Sequence, residues 1–351
     1  MPRTFKPSGM ICSPKARRHR LVPGSMTMCA RLRCCLVPLL VAIAAATVSA
    51  EPYPGNNLIR IVIPATAGSP PDVLSRVVAS ELIEGEGWRV VVENKPGALQ
   101  TIGVTEALKY PADGYTILAM SAPLTVAPAL LPHLGLRLDA DFVPVVKMAM
   151  SYNVLVVNSS VPANSLSDLV ALLRANPDKY NFPSLGFGTP SHLIGELLKL
   201  RAGVGAAHVP YPGGQQWIGD LLTDKTQFSF TTTFRVLDLI ATGKLRALAV
   251  TGPQRIASLK HVPTVAEEGF PELLFEDWVG LAMKRGTPAE IVERVNAAVN
   301  NALAKPRVRE AFANTGSETA GGSSPEFGAL ITSQLDYWRR FVTDANITLP
   351  R

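Results

Sequence analysis

The chain has 351 residues, with 34 Lys and Arg residues against 28 Asp and Glu residues and a formal net charge of +6. Eight of the basic residues and none of the acidic ones lie in the first 50 positions, so the other 301 residues carry a net charge of −2. The basic excess therefore belongs to the first 50 residues and is no evidence for nucleic-acid binding. All four cysteines also lie in the first 50 positions, so the remainder has no disulfide, thiolate nucleophile or cysteine metal site.

The first 50 residues have the composition of a secretory signal peptide. A basic region precedes an uncharged run of 17 residues, which ends in Val48-Ser49-Ala50. This order predicts export with cleavage after Ala50, and therefore a periplasmic protein. The alternative is an N-terminal membrane anchor, for which 17 residues with an alanine-rich end are few. The long basic region leaves Met26 and Met28 as alternative starts of translation.

Short β-rich runs alternate with helical runs from residue 59 onwards, joined by Gly and Pro turns. This alternation predicts an α/β fold in which strands are buried between helices. The predicted strands are 59–63, 89–93, 116–120, 153–157, 206–211, 227–231, 245–250 and 278–283. The predicted helices are 72–83, 99–109, 165–174, 191–201, 215–223, 235–241, 289–304, 307–314 and 325–343.

Without the signal peptide, the length of the chain corresponds to about two compact domains. Two segments, near 148–157 and 270–283, are predicted crossings between them. Residues 53–150 and 275–351 then form lobe 1, and residues 155–268 form lobe 2. Two crossings predict a hinged clamshell with its ligand between the lobes, each lobe being a mainly parallel sheet flanked by helices.

A loop of small residues separates the first predicted strand from the first predicted helix. A helix start presents unpaired N–H groups and the positive end of the helix dipole, which together attract carboxylates. The candidate ligand contacts in this loop are Thr66, Ala67, Gly68, Ser69 and Asp72. The order Ser-Pro-Pro-Asp from Ser69 also matches the S-x-x-[DE] capping pattern, so Asp72 is either a helix-capping residue or a ligand contact.

A second loop of the same kind precedes another predicted helix about 120 residues later. Taken alone it is an ordinary strand-to-helix turn. Two such loops, one in each predicted lobe, favour a site in which they face each other across a cleft. Its candidate contacts are Ser184, Gly188, Thr189 and Ser191. We expect peptide dipoles at these two helix starts, rather than ionised side chains, to hold a small organic acid.

Two further stretches contribute candidate contacts. Ser121 and Ala122 follow the predicted strand 116–120, and open α/β sheets bind ligands at the carboxyl ends of their strands. Tyr211 precedes a predicted helix, and it either donates a hydrogen bond to the ligand or fills the wall of the cleft.

The residues that could support catalysis are few. The four histidines after residue 50 lack metal-ligand spacing, and the chain has no G-x-S-x-G, Walker A or strand-following G-x-G-x-x-G motif. His192 follows Ser191 directly, and adjacent residues do not form a catalytic dyad, so a capping or packing role is predicted for it. Asp277 is assigned to a crossing between lobes. The sequence therefore predicts no catalytic residue, no metal site and no cofactor.

Several short segments carry a family resemblance, which extends from about residue 53 to residue 347. They are IVIP at 61–64 with the following Ala67-Gly68 and Asp72, VVENKPGA at 91–98, PADGYT at 111–116, SHL with GE at 191–196, HVPY at 208–211, GKLRALAVT at 243–251, VPTVAE at 262–267 and GTP at 286–288. Together they resemble the substrate-binding receptors of tripartite tricarboxylate transporters, the Bug family of periplasmic solute receptors.

The resemblance implies a periplasmic-binding-protein clamshell of type II-like fold. It also implies that loops 66–69 and 184–191 hold a ligand carboxylate through amides, hydroxyls and water. The chain departs from the family pattern at four places, all of which bear on the distal pocket and hence on the ligand. These are Ala65, where Phe is usual; Ser69, where a second Gly is usual; Leu99-Gln100-Thr101, where Gly-Gly-Asn is usual; and Thr231-Thr232-Thr233, where Asp or Asn is frequent.

Three functions follow from these observations. The first is a monomeric extracytoplasmic receptor that captures a di- or tricarboxylate, an amino acid or an aromatic acid and delivers it to integral membrane transporter subunits. The second is a periplasmic sensor that presents the same ligand to a two-component signalling system, since a fold does not fix a function. The third, an exported hydrolase or isomerase, is disfavoured by the lack of catalytic motifs.

Overall fold

A computed structural model describes residues 53–177, 179–211, 216–344 and 347. The predicted signal peptide, residues 1–50, lies outside this part of the chain. The strands are β1 (Leu58–Ile63), β2 (Arg89–Asn94), β3 (Thr116–Ser121), β4 (Phe142–Asn158), β5 (Asn181–Ser184), β6 (Ala207–Pro210), β7 (Phe228–Thr232), β8 (Leu245–Val250), β9 (Glu276–Lys284) and β10 (Glu318–Thr319). The helices are α1 (Pro70–Glu86), α2 (Thr101–Leu108), α3 (Ala127–Leu130), α4 (Leu138–Asp141), α5 (Leu166–Ala175), α6 (Pro190–Ala202), α7 (Gln216–Leu222), α8 (Leu237–Ala241), α9 (Ala289–Leu303), α10 (Pro306–Ala313) and α11 (Ser324–Asp344).

Most strands join one curled sheet, in the order β10-β4-β9-β3-β1-β2, with β7 and β8 also paired to β4. A separate pair is formed by β5 and β6. The strands β1, β2 and β3 pair in parallel, as do β5 and β6. In the described part of the chain, the antiparallel pairs are those made by β4 or β9. These two strands therefore tie together the parallel units that the alternating pattern predicts.

Strand β4 changes partners along its 17 residues. From Phe142 to Tyr152 it pairs with β9, and from Asn153 to Asn158 it pairs with β7 and β8. The ladder with β9 contains two register shifts, one next to Pro144, which has no N–H to donate. The change of partner places the middle of β4 at the junction of the two halves of the sheet.

Helix α11 packs into the hydrophobic cores on both sides of this junction. Its first half contributes Phe327, Ile331 and Leu335 to a core with β3 and β9 residues. Its second half contributes Trp338, Phe341 and Val342 to the core that contains the end of β4, α5 and α6. The helix is therefore a third connection between the two halves, in addition to the strands β4 and β9.

A close contact between α11 and the sheet yields a stability prediction. A Cβ atom at Gly280 of β9 would lie 2.7 Å from the carbonyl oxygen of Val146 and would overlap the ring of Phe327. Because backbone and helix must both shift, Gly280→Val is expected to lower the free energy of unfolding by about 2 kcal/mol. Urea denaturation measures this value. Gly219→Ala in α7 is the control, because its Cβ has nothing within 4 Å; an equal loss there would contradict the argument.

Candidate functional site

A cavity of about 220 Å³ lies where β4 and β9 are paired. Its floor is the ladder in which Met150 faces Trp278 and Ser151 faces Asp277. Its walls come from the starts of α1 and α6, the ends of β3 and β7 and the turn after α10. This volume is below the range of roughly 300–1,000 Å³ for drug-sized ligands, so the cavity suits a smaller molecule.

The start of α1 is held by the carboxylate of Asp72. This side chain is 3% exposed and accepts hydrogen bonds from the Gly68 N–H at 2.8 Å, from Asn94 Nδ2 at 2.9 Å and from Arg76 Nε at 2.9 Å. Burial acts to raise the pKa of Asp72, but these hydrogen bonds and the charge of Arg76 outweigh burial and hold the pKa below its usual value. Asp72 therefore organises the loop from behind and does not line the cavity.

Ser69 is the N-cap residue of α1 by position but not by hydrogen bonding. Its hydroxyl donates to the carbonyl oxygen of Thr66 at 2.6 Å, and no side chain caps the helix. By contrast, Ser165 at the start of α5 accepts a hydrogen bond from the Asp168 N–H at 3.0 Å. The same S-x-x-D pattern thus yields a capped helix at α5 and an uncapped one at α1.

The start of α6 is uncapped in the same way. Thr189 occupies the N-cap position, but its hydroxyl donates to the Gly186 carbonyl oxygen at 2.6 Å. The Gly188 N–H donates to Nδ1 of His192 at 3.1 Å, and the Leu185 N–H donates to Oγ of Ser191 at 3.2 Å. The loop therefore satisfies its own groups, while the first turn of α6 has no side-chain cap. Both uncapped helix starts line the same cavity.

A left-handed turn brings the 98–100 segment against the second loop. Ala98, Leu99 and Gln100 have φ values of 46°, 51° and 74°, which are costly for residues other than glycine. A Cβ at Gly188 would lie 2.8 Å from Cδ2 of Leu99, so glycine permits this close approach. Gln100 lines the cavity, and its Oε1 accepts a hydrogen bond from the Ser121 hydroxyl at 2.8 Å.

The structure brings some of the predicted site residues into the cavity and leaves others outside its lining. Those that line it are Ser69, Ser121, Thr189 and Ser191. Those that do not are Thr66, Ala67, Gly68, Asp72, Ala122, Ser184, Gly188 and Tyr211. The hydroxyl of Tyr211 donates to Oδ2 of Asp220 at 2.7 Å. Burial, helped by Asp220, raises the pKa of Tyr211 to about 12.

Sequence reasoning missed several polar residues that line the cavity. Among the described residues, Arg235 is its one lysine or arginine and Asp277 its one carboxylate. Burial raises the pKa of Asp277 to about 7, a hydrogen bond with the Trp278 backbone opposes the rise, and the charge of Glu276 adds to it. Asn153 also lines the cavity and faces Thr232 in the β4–β7 ladder. Thr232 belongs to the departure from the family pattern that bears on the distal pocket, whereas only a ladder register, which the sequence does not display, would have placed Asn153 beside it.

The described residues contain no group of three or more His, Cys, Asp or Glu side chains that could hold a metal ion. Over the same residues, no helix combines the length and the apolar character that a membrane crossing requires. His192 and His208 lie near the second loop, with their ring centroids 4.3 Å apart. His192 and Ser191 are adjacent on α6, but the hydroxyl and the imidazole bond to different groups of the loop.

The family profile described as tripartite tricarboxylate transporter family receptor matches residues 74–347. The chain belongs to the tripartite tricarboxylate transporter receptor family. It is 34% identical over 307 residues to the protein BugT of Bordetella pertussis, covering 87% of this chain and 94% of BugT. The periplasmic binding protein BugD is 29% identical in structural superposition, with a TM-score of 0.71 over 83% of this chain and 98% of BugD.

A second solved structure that is similar to this chain is that of Rpa4515 from R. palustris with adipate. It is 30% identical, with a TM-score of 0.72, and the superposition covers 83% of this chain and 98% of that protein. These likenesses confirm both the predicted family and the predicted fold class, a two-lobed α/β clamshell of the periplasmic-binding-protein type. The cavity between the two helix starts is therefore the candidate ligand site of a receptor of this family.

Proposed function

We propose that the protein is an extracytoplasmic receptor that captures a small carboxylate-bearing solute and delivers it to the membrane subunits of a tripartite tricarboxylate-type transporter. The observation that carries the proposal is the pair of uncapped helix starts, α1 and α6, which line one small cavity. Each has the positive end of a helix dipole, which attracts carboxylates. Because Pro70, Pro71 and Pro190 have no N–H, the remaining first-turn amides are those of Asp72 in α1 and of Ser191 and His192 in α6. The R. palustris relative with adipate supports this ligand class.

The carboxylate is held by the first turns of the two helices and by hydroxyls, with bridging water. The N–H groups of Gly68, Ser69, Gly188 and Thr189 already donate within their own loops. Ser69, Thr189 and Ser191 place hydroxyls on the cavity wall. A hydroxyl can turn from a loop carbonyl towards an anion, and water bridges contribute nearly as much as direct hydrogen bonds.

The ligand is enclosed by closure of two lobes about the strands that connect them. We place lobe 1 at residues 53–150 and 275–351, and lobe 2 at residues 155–268. The change of partner in β4 after Tyr152 supports this division, and the β4–β9 floor of the cavity lies at the junction. Helix α11 contacts both cores and limits how far the lobes separate. Bound solute favours the closed state because it contacts both helix starts only there.

The receptor works in the periplasm and without catalysis. Export follows from the signal peptide predicted at residues 1–50, with cleavage after Ala50. Of the predicted site segments, the second loop is followed by the one histidine considered for catalysis, His192. Its ring accepts a hydrogen bond from the Gly188 N–H of the same loop, and the residue is 2% exposed. A buried imidazole engaged in this way stabilises the second loop and is not available to a substrate.

Substitution of Ser69 tests the contribution of the α1 helix start to ligand binding. Ser69→Ala is expected to weaken binding of an organic acid by about 1 kcal/mol, because one hydroxyl is lost. Ser69→Asp is expected to weaken it further, since its carboxylate occupies the positive helix end and repels the ligand. After a thermal-shift screen of small organic acids has identified a ligand, isothermal titration calorimetry measures both values.

The matched control is Ser165→Asp at the start of α5, which has the same S-x-x-D pattern and does not line the cavity. Its affinity is expected to equal that of the wild-type protein. Unchanged affinity of Ser69→Asp would remove the α1 start from the site.

A further inference from the structure

Three polar side chains of the cavity lie on or next to the β4–β7 ladder. Asn153 of β4 faces Thr232 of β7, and Arg235 follows β7 after a short turn. All three line the cavity. We call them the donor cluster, because each offers hydrogen-bond donors: an amide, a hydroxyl and a guanidinium. None of them belongs to either helix start.

The donors of this cluster have no partner among the described residues. Nδ2 of Asn153 and Oγ1 of Thr232 are buried and make no hydrogen bond there, and Asn153 is only 2% exposed. A buried polar atom without a partner costs roughly 1–3 kcal/mol, so such atoms are rare unless a ligand satisfies them. Six side-chain atoms of the described residues are buried without a partner, and these two are the ones whose residues line the cavity. Their shared place on one wall favours a ligand with acceptor atoms there.

Arg235 gives this wall a positive charge that no ion pair among the described residues neutralises. Its pKa is lowered by burial, with no carboxylate acting in the opposite direction, and its guanidinium carbon lies 5.3 Å from the centre of the Phe234 ring. Neither Glu276 nor Asp277 forms an ion pair with Arg235 among the described residues. Glu276 pairs with Lys147 at 2.7 Å, and Asp277, which also lines the cavity, has a pKa that burial raises to about 7. An anion is therefore the complementary ligand for Arg235.

We propose that the donor cluster is a second anion subsite, which binds a second carboxylate of the captured solute and makes Arg235 the residue that selects for it. The inference rests on the proposed function, which places the first carboxylate at the two helix starts. The guanidinium fork and the Asn153 amide match the geometry of a carboxylate. Apolar side chains, including Leu74, Met150 and Trp278, line the cavity together with polar ones such as Gln100 and Ser151. The ligand expected from two anion subsites in a cavity of this size is a short dicarboxylate.

The test compares dicarboxylates with monocarboxylates of equal chain length. The exported protein is titrated calorimetrically with succinate and butyrate, glutarate and valerate, and adipate and hexanoate. The wild-type protein is expected to bind at least one dicarboxylate about 10- to 100-fold more tightly than its monocarboxylate. Arg235→Gln is expected to abolish this preference and to leave the monocarboxylate affinity within about twofold, since the helix starts are intact.

Two further variants separate a lost contact from a lost fold. Thr232→Val removes a hydroxyl without a partner and keeps the shape of the side chain, so stability is expected to be unchanged or higher while dicarboxylate affinity falls about fivefold. Lys244→Gln removes the same charge as Arg235→Gln from an exposed position outside the cavity, and its affinities are expected to equal those of the wild type.

The outcomes separate the two proposals. If the wild-type protein binds none of these acids and no other organic acid in the thermal-shift screen, the proposed function fails; if it binds only an acid with a single carboxylate, the second subsite is overturned. If it binds both members of each pair equally, or if Arg235→Gln weakens both equally, the second subsite is overturned and the carboxylate receptor stands.

Discussion

A receptor with Asp72→Ala is expected to lose about 3 kcal/mol of folding free energy and to bind its ligand too weakly to measure by calorimetry. The substitution removes the acceptor of three hydrogen bonds, from Gly68, Asn94 and Arg76. Gly68 and Asn94 then keep partly buried donors without a partner, which costs more than the bonds contributed. We place the loss at the low end of the range for buried ion pairs because Arg76 is about half exposed.

Binding suffers for a reason distinct from stability. The Gly68–Asp72 hydrogen bond closes the turn that orients the start of α1 towards the cavity. Asn94 extends the same network to the Ala65 carbonyl oxygen at 3.0 Å, and Ala65 lines the cavity. Without Asp72 the loop must be ordered at the moment of binding, and ordering each residue costs roughly 1–2 kcal/mol. The start of α1 is therefore no longer held in its binding orientation before the ligand arrives, and affinity falls.

Urea denaturation and titration calorimetry measure the two effects. Asp168→Ala is the matched control, since Asp168 also accepts a hydrogen bond from the backbone N–H four residues earlier, that of Asn164, at 2.9 Å. Asp168 is exposed and does not line the cavity, so a loss of about 1 kcal/mol with unchanged affinity is expected. If Asp72→Ala bound ligand as the wild type does, the loop would not need this carboxylate for its function.

The two S-x-x-D starts show how far a local pattern reaches. The sequence correctly indicates that Asp72 can bond back to the backbone before α1, and the bond goes to Gly68. The same pattern also indicates that Ser69 caps the helix, yet its hydroxyl donates to Thr66 instead. At α5, Ser165 does cap. The choice is made by the path of the preceding chain, which a four-residue pattern does not contain.

Strand β4 likewise shows that local sequence predicts only part of the fold. Its second half is a continuous aliphatic run, and the sequence predicts a strand at 153–157. Its first half, which contains Pro144 and Lys147, is not among the predicted strands, and only its end falls within the predicted crossing near 148–157. It is extended because β9 pairs with it from Phe142 to Tyr152. A partner about 130 residues away in the chain thus overrides a weak local preference.

The residues that line the cavity also fall into two groups, those that local sequence patterns predict and those that only the tertiary structure places there. Ser69, Thr189 and Ser191 were predicted because loop and helix signals are local. Arg235 was predicted as the first residue of a helix, but α8 begins at Leu237 and Arg235 lines the cavity. Asp277 was predicted to lie in a crossing, and the crossing is itself the cavity floor. The sequence did not predict Arg235 and Asp277 as site residues, because strand pairing, rather than proximity in the sequence, brings them together.

Acid is expected to destabilise the receptor by about 3 kcal/mol between pH 7.5 and pH 4.5 through His192. The ring is 2% exposed and lies between the second loop and the ring of His208. Burial, followed by the charges of His208 and Lys199, lowers the pKa of His192 to about 3. The unfolded chain has an ordinary histidine pKa of about 6.5. Below pH 6.5 the unfolded state binds a proton at His192, whereas the native state does not. The free energy of unfolding therefore decreases as the pH is lowered, until about pH 3.

Other groups titrate in the same window, so the effect must be isolated by substitution. Burial and Lys199 lower the pKa of His208 to about 4, which adds a smaller loss of the same sign because this ring is partly exposed. Asp277 acts in the opposite direction, since its native pKa of about 7 lets the folded state bind a proton before the unfolded state does. Asp72 has a lowered pKa, so it loses its contribution below its ordinary value, outside most of this range.

The measurement is therefore a difference between variants. Unfolding free energies of the wild type and of His192→Gln are determined in urea at pH 7.5 and pH 4.5. Glutamine offers an acceptor oxygen to the Gly188 N–H and does not titrate. The wild type is expected to lose about 3 kcal/mol more than His192→Gln over this interval. Equal losses would mean that His192 is charged in the native loop, and the hydrogen bond from Gly188 to its Nδ1 would then have to be reassigned, since a doubly protonated ring accepts none.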